Sequence, residues 1–448
     1  MMDWERLLLP ERIRRSSTGN PVDRSEFERD YDRIIFSKPF RRLQKKTQVF
    51  PLPENDYIHT RLTHSLETSC VGRSLGMAAG KDIIDKYQDL QGKSINVHNF
   101  AAVVAAAALA HDIGNPPFGH SGENAISDFF KSIDGTAFLK DLSEPQQLDF
   151  QNFEGNAMGF RLMIHTLPGV SSIPGGLNLT YATIGAFTKY PREIASKKLP
   201  GASGKKHGFF QTQKELFKQI ADKLGMLPKE NSSGIVAYHR HPLAFLVEAA
   251  DDISYLIMDL EDGYSLKLVE KKEVEDTLQS LLLKEVPATI LDKIHDNRER
   301  ISYLRAIAIS SLVNQTSEVF KENLPEIMEG KFDTPLADEI KTAKQLKELK
   351  TLCKEKVYSY RKVLEIESAG FEVIGGLLFE FLSALKNDTE KAKKIRSLLP
   401  KHYIIEHFDT PDQWYEAIMH VVQFVAGMTD TFAIDTYRSI KGIRLPNY

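Results

Sequence analysis

The sequence predicts an all-α protein, and three observations carry that prediction. Ala, Leu, Lys and Glu dominate the 448 residues, and apolar residues recur at spacings of three and four. Strand signals are few and short. No repeat, low-complexity tract or Gly/Pro-rich linker divides the chain. Helices are expected around 25–46, 62–79, 98–111, 121–133, 212–224, 242–261, 269–295, 298–322, 335–346, 355–385, 388–398 and 411–440. The stretch near 170–190, SSIPGGLNLTYATIGAFTKY, reads as a small hairpin or an irregular loop.

A chain that is 42% hydrophobic can bury a large core. Length alone suggests about three domains. Without a linker, the expectation is one compact multi-helix domain with peripheral additions. The 58 basic and 61 acidic residues leave a net charge of -3, so no global field steers nucleic acid or an anionic membrane. The one clear basic cluster is Lys197, Lys198, Lys205, Lys206 and His207. It reads as a solvated loop or as a polyphosphate or nucleic-acid contact. The lysines between 345 and 362 read as a solvated helix face.

Two cysteines, Cys70 and Cys353, and a charged opening without a signal-peptide core predict a cytoplasmic protein. The most apolar run, Ala101 to Ala110, is half the ~20 residues a membrane span needs. It reads as a buried helix, and no membrane partner is expected.

That helix runs into His111-Asp112 and then into Gly114 and Pro116-Pro117, which force a turn. Two metal-competent side chains at the end of an apolar helix suit a preorganised site, or simply a helix C-terminus. His120 and Glu123 follow, three apart at a helix start. At that spacing they share a face, and the carboxylate can raise and orient the imidazole for proton transfer. Upstream, Arg61 and His64 are also three apart. One can grip a phosphate and the other bind a metal. Downstream, Asp251 and Asp252 interrupt an apolar helix, where carboxylates seldom lie without a partner or metal. Asp251, Tyr255 and Asp259 recur every four residues on one stripe, which Glu248 extends. The two imidazoles and two carboxylates suit Mn, Fe, Zn, Co or Ni, and with open positions Mg.

With these residues assembled, the order His64, His111-Asp112, Asp251 resembles the HD superfamily of metal-dependent phosphohydrolases. HDIGNPPFGHSGE resembles the deoxyguanosine triphosphate triphosphohydrolase family within it. RRLQKKTQVFPL at 41–52, HTRLTHSLE at 59–67, TKYP at 188–191, DDISYLIMDLEDG at 251–263 and AGMTDTFAIDTY at 426–437 extend the resemblance along the chain. It implies an N-terminal helical segment over 1–58, an HD core over 59–263 and a C-terminal helical region over 264–448. It implies hydrolysis of dGTP, or of other deoxynucleoside triphosphates, to deoxynucleoside and tripolyphosphate.

By position, His64, His111, Asp112 and Asp251 would bind a divalent metal, Mg or Mn first. His120, with Glu123, would be catalytic. Arg61 and Lys189 would meet the phosphates, Tyr190 would lie in the same substrate-facing segment as Lys189, Gln48 and Asp259 would bond the sugar 3′-hydroxyl, and Tyr255 would pack on the deoxyribose. Asn115 stands where many relatives carry a second histidine, and Glu367 is a candidate base-reading residue. The resemblance also implies a homo-oligomer such as a hexamer, and a nucleotide or single-stranded DNA effector. Two rival readings stand beside it. One is an HD phosphatase of deoxynucleoside monophosphates or a phosphodiesterase. The other is an inactive nucleotide- or nucleic-acid-binding scaffold.

Overall fold

At the centre, two helices pack unusually close, and their sequences explain why. The Arg61–Lys86 helix presents Gly72, Gly76 and Gly80, spaced by four, to the alanine-rich Val97–Ala110 helix. A Cβ at Gly76 would lie 2.9 Å from the Phe100 carbonyl oxygen and from the Ala101 Cα. Small residues on both faces therefore set the separation. Thr60 with Thr63 and Asn96 with Asn99 form capping boxes that fix where the two helices begin. The run Ala101–Ala110 is buried apart from half-buried Ala102, as its composition predicts.

The computed structural model describes residues 1–13, 24–50, 58–93, 95–165, 176–196, 199–231, 234–405 and 407–444. Lys197, Lys198, Pro51, Leu52 and the 170–175 part of the expected hairpin lie outside them. Among the described residues the fold is all-α. Extended pairing is limited to isolated bridges such as Thr47 with Thr60 and Arg192 with Ala237.

Pro242–Ser265 contacts both helices of the central pair, and Asn297–Met328 packs on it and on Arg61–Lys86. It begins at Pro242, with His241 as N-cap. The His241 Nδ1 accepts from the Leu243 N–H, and Nε2 donates to the Leu7 carbonyl. A second buried cluster forms where Gly119–Lys131 meets Arg361–Lys386, Pro411–Ala426 and Asp430–Ile440. Arg361–Lys386 has the length and apolarity of a membrane span, but Ile374, Leu377, Leu378 and Phe381 on it are buried in this cluster.

Several expected helices are divided, each for a local reason. The helix expected over 25–46 breaks into Glu26–Ile35 and Lys38–Arg42, because Ser37 caps a new start with Pro39 in its first turn. The 269–295 helix becomes Lys271–Ser280 and the single turn Ala288–Leu291 after Pro287. Expected helix 335–346 is a 3₁₀ turn at Leu336–Asp338, then Ala343–Cys353. Expected helix 355–385 is a π-turn at Lys354–Tyr358, then Arg361–Lys386. The 411–440 helix bends by 115° at Gly427–Thr429. Within the expected hairpin, residues 181–187 are helical. Thr180 caps that helix through Thr183, and buried Asp30 accepts from both the Thr180 N–H and its hydroxyl. Glu144–Gln151 and Gly155–Ile164 are helices that sequence periodicity does not reveal.

Candidate active site

Three helices converge on one cluster of lone pairs. His64 comes from Arg61–Lys86, His111 is the C-cap residue of Val97–Ala110, and Asp251 lies within Pro242–Ser265. The His64 Nε2 is 3.2 Å from the His111 Nε2 and 3.2 Å from the Asp251 Oδ1, and the His111 Nε2 is 3.4 Å from that oxygen. The His111 Nδ1 lies 2.7 Å from the Ala108 carbonyl. A carbonyl only accepts, so Nδ1 carries a proton, which leaves Nε2 as the ring atom that can offer a lone pair to a metal. Asp112 stands at the edge, its Oδ1 3.5 Å from the His111 Nε2. Its Oδ2 accepts from Arg61 at 2.6 Å, and Asn115 donates to Oδ1. Burial opposes ionisation of Asp112, but Arg61, His111 and His64 outweigh it and hold the carboxyl at about 2. Asp251 is likewise held low against its burial by His111, His64 and Lys189. Imidazole nitrogens and ionised carboxylate oxygens at these separations fit a divalent metal ion.

Beside this cluster sits the histidine–glutamate pair. Phe118 and Gly119 both take left-handed backbone angles, φ 62° and 60°. A Cβ at Gly119 would lie 2.6 Å from an Arg61 guanidinium nitrogen, so glycine lets the loop pass over that side chain. The Gly119–Lys131 helix then begins and presents His120. Its side chain is 80% exposed, and its Nδ1 lies 2.8 Å from the buried Glu123 Oε2. The other Glu123 oxygen accepts from the Gly155 N–H at 2.7 Å. The Glu123 bond raises the His120 pKa against partial desolvation. Burial works to raise that of Glu123, but His120 and Lys206 outweigh it. Lys206, from the basic cluster, pairs with Glu154 and also acts electrostatically on Tyr190.

The remaining sequence candidates surround these groups. Lys189 Nζ is 3.6 Å from the Asp251 Oδ2 and 3.8 Å from the Glu248 Oε1, with half-buried Tyr190 next to it. Tyr255 is half-buried on the Asp251 face, and burial raises its phenol pKa, so it is neutral. Asp259 is buried and pushed up to about 7 by desolvation, against a 2.5 Å bond from the Tyr358 hydroxyl. Asp252 is also pushed up to about 7, chiefly by burial. Gln48 Oε1 is buried with no hydrogen-bond partner among the described residues, and neither has the Arg61 Nε. Polar atoms orphaned in this way at a site call for a ligand or water. Glu367 is half-buried on Arg361–Lys386, one turn before Gly370, which packs on Phe118.

Sequence reading missed the residues that hold these pieces together. Lys46 is fully buried and donates to the Asn115 and Ala426 carbonyls. Burial lowers its pKa to about 7. Asp430 accepts from the Thr47 N–H at 2.9 Å and from the Phe118 N–H at 3.1 Å. Tyr358 and Arg240, the latter paired with Glu248, were also unforeseen. Lys46 and Asp430 lie inside the motifs RRLQKKTQVFPL and AGMTDTFAIDTY, but a motif does not say which polar residue turns inward.

Residues 61–159 match the HD domain and residues 338–439 match the phosphohydrolase-associated domain. A deoxyguanosinetriphosphate triphosphohydrolase-like protein of Synechocystis sp. is 42% identical, covering 99% of this chain and all of its own length. A like-named protein of Pseudomonas aeruginosa is 37% identical over the full length of both. The chain belongs to the deoxyguanosine triphosphate triphosphohydrolase family of HD proteins. It is therefore an HD-family hydrolase, a class that binds divalent metal. A family member named without the suffix, from Klebsiella pneumoniae, is 31% identical over 93% of this chain and 94% of its own. The HD match contains His64, His111, Asp112, His120 and Glu123. Asp251 lies outside both matched regions, and the fold brings it to the same place.

Proposed function

We propose that this protein hydrolyses dGTP, or another deoxynucleoside triphosphate, to deoxynucleoside and tripolyphosphate. One observation carries the reading. A proton-donating pair, His120 and Glu123, stands beside the His64–His111–Asp251 cluster, with Arg61 reaching from Asp112 to Gly119 between them. The relatives' names point to the same substrate class.

Cutting the bond between the α-phosphorus and O5′ releases an alkoxide, a poor leaving group at neutral pH without a proton. His120 supplies that proton from an exposed position, and Glu123 stabilises its charged form. The Gly155 N–H and the Lys206 charge keep Glu123 ionised and in place. A divalent ion held by His64, His111, Asp112 and Asp251 would polarise a phosphoryl oxygen and lower the pKa of bound water. Arg61 and Lys189 neutralise phosphate charge, and Tyr190 flanks the same oxygens. Asp259 accepts from the sugar 3′-hydroxyl, the Gln48 amide bonds the same hydroxyl, whose oxygen can accept from it, and the neutral Tyr255 ring packs below C2′.

A homo-oligomer fits the exposed stripe Leu364, Phe371 and Phe379 on Arg361–Lys386. A cytoplasmic location fits two cysteines that remain free thiols. The test is to incubate each nucleoside triphosphate with Mg or Mn and resolve the products by chromatography. Deoxynucleoside plus tripolyphosphate supports the reading. Monophosphate plus pyrophosphate, or no turnover, overturns it.

A further inference from the structure

A second cluster of metal-competent donors lies apart from the HD centre, in elements the proposed reaction does not use. His165 is the C-cap residue of Gly155–Ile164, and Glu416 and His420 share one face of Pro411–Ala426 at i, i+4. One donor atom from each falls within 4.8 Å of the other two. The His420 Nε2 is 3.8 Å from the Glu416 Oε2, and the two imidazole rings are 6.4 Å apart.

The hydrogen bonding of this cluster is incomplete. The His165 Nε2 is shielded from solvent and has no hydrogen-bond partner among the described residues. The His420 side chain is 4% exposed and lies against the Tyr403 backbone, which takes a weak hydrogen bond from it. Buried imidazole nitrogens are normally satisfied, so an unpartnered His165 nitrogen in a group with a second imidazole and a carboxylate indicates a missing partner. Burial, reinforced by Arg161, pushes both imidazoles down to about 4. They are neutral near pH 7, the form that coordinates a metal.

Arg161 does not exclude a cation. It bonds the Glu416 Oε2 at 2.7 Å and the Gln423 Oε1 at 2.9 Å. At the HD centre Arg61 takes one Asp112 oxygen and the other faces His111, whereas Arg161 reaches both Glu416 oxygens, the second at 3.4 Å. A carboxylate has about four lone-pair positions, enough for a guanidinium and an ion together. Glu416 is 25% exposed and His165 is half-buried, which leaves an approach from solvent.

We propose that His165, Glu416 and His420 form a second divalent-metal site, selective for zinc-class ions. Two imidazoles and one carboxylate favour Zn, Co, Ni or Cu over Mg, and leave one position for water. The ion would fasten the segment just after the HD match to the phosphohydrolase-associated region, two parts far apart in sequence. Its role is structural, and it does not depend on which nucleotide the enzyme cleaves.

The test uses the full chain carrying His64→Ala and Asp251→Asn, which disables the HD centre. This protein is stripped with chelator, incubated with zinc alone, gel-filtered and assayed for metal. The expected result is one retained equivalent of zinc, a raised Tm, and a visible Co(II) band on substitution. Adding His165→Gln should abolish all three. That residue is half-buried at the end of its helix, so circular dichroism should show an unchanged fold, and His420→Gln gives a second readout. No retained zinc, or retention unchanged by His165→Gln, overturns the proposal.

Discussion

The Phe118 backbone N–H donates to the Asp430 Oδ1 at 3.1 Å, joining the loop before His120 to the first turn of a helix more than three hundred residues later. The other Asp430 oxygen takes the Thr47 N–H, one residue before Gln48. One buried carboxylate thus fixes two segments of the candidate site. Truncating it leaves buried donors unpaired, at about 1–3 kcal/mol each. Asp430→Ala should lower the denaturation midpoint and reduce turnover by roughly tenfold or more at unchanged metal content. Asp430→Asn, which keeps an acceptor, should recover part of both. A wild-type rate in Asp430→Ala would show that the loop does not need this anchor.

His120→Ala should retain metal and lose on the order of 100-fold or more in kcat. If metal content falls together with activity, His120 is a ligand and the proposed role is wrong.

The Glu123 bond raises the His120 pKa, and the reaction needs the protonated imidazole. Activity should therefore fall as pH rises through that folded-state pKa. Glu123→Gln removes the support and should move the alkaline limb of the kcat profile to lower pH. The shift will be modest, because an imidazole 80% exposed is screened by water. An unmoved limb would assign it to another group.

The fold class and the metal-competent residues were legible because each depends on short-range pattern. The alanine run ending in His111-Asp112 and the buried acids of Pro242–Ser265 violate ordinary burial rules in ways one sequence displays. The coupling residues were not legible. Lys46 looks like any lysine in a basic run, and only the tertiary fold places it beneath the Asn115 carbonyl. The division of 25–46 was visible in principle at Ser37 and Pro39. The helical turns at Tyr181–Phe187 depend in part on Asp30, a contact no local window contains.

Tyr255→Ala should relax selection against ribonucleotides if the ring packs below C2′. The ratio of kcat/KM for dGTP over GTP should fall, and an unchanged ratio would remove Tyr255 from that role.

Asp149 is buried and pushed up to about 7 by desolvation, although the Gln211 N–H and the Tyr415 hydroxyl both bond its Oδ2. A carboxyl whose folded pKa is raised favours the folded state below its unfolded pKa. That contribution is lost as pH climbs through the folded value, at about 1.4 kcal/mol per unit at most. Between pH 5 and 8 the wild type should lose stability relative to Asp149→Asn. Parallel denaturation curves for the two proteins across that range would contradict the assignment.

The central claim is attack at the α-phosphorus with release of the deoxynucleoside. Turnover of dGTP in ¹⁸O-water, followed by mass spectrometry of both products, tests it directly. One ¹⁸O should appear in tripolyphosphate and none in deoxyguanosine. Label in the deoxynucleoside 5′-hydroxyl, or in pyrophosphate or orthophosphate instead, would contradict the account.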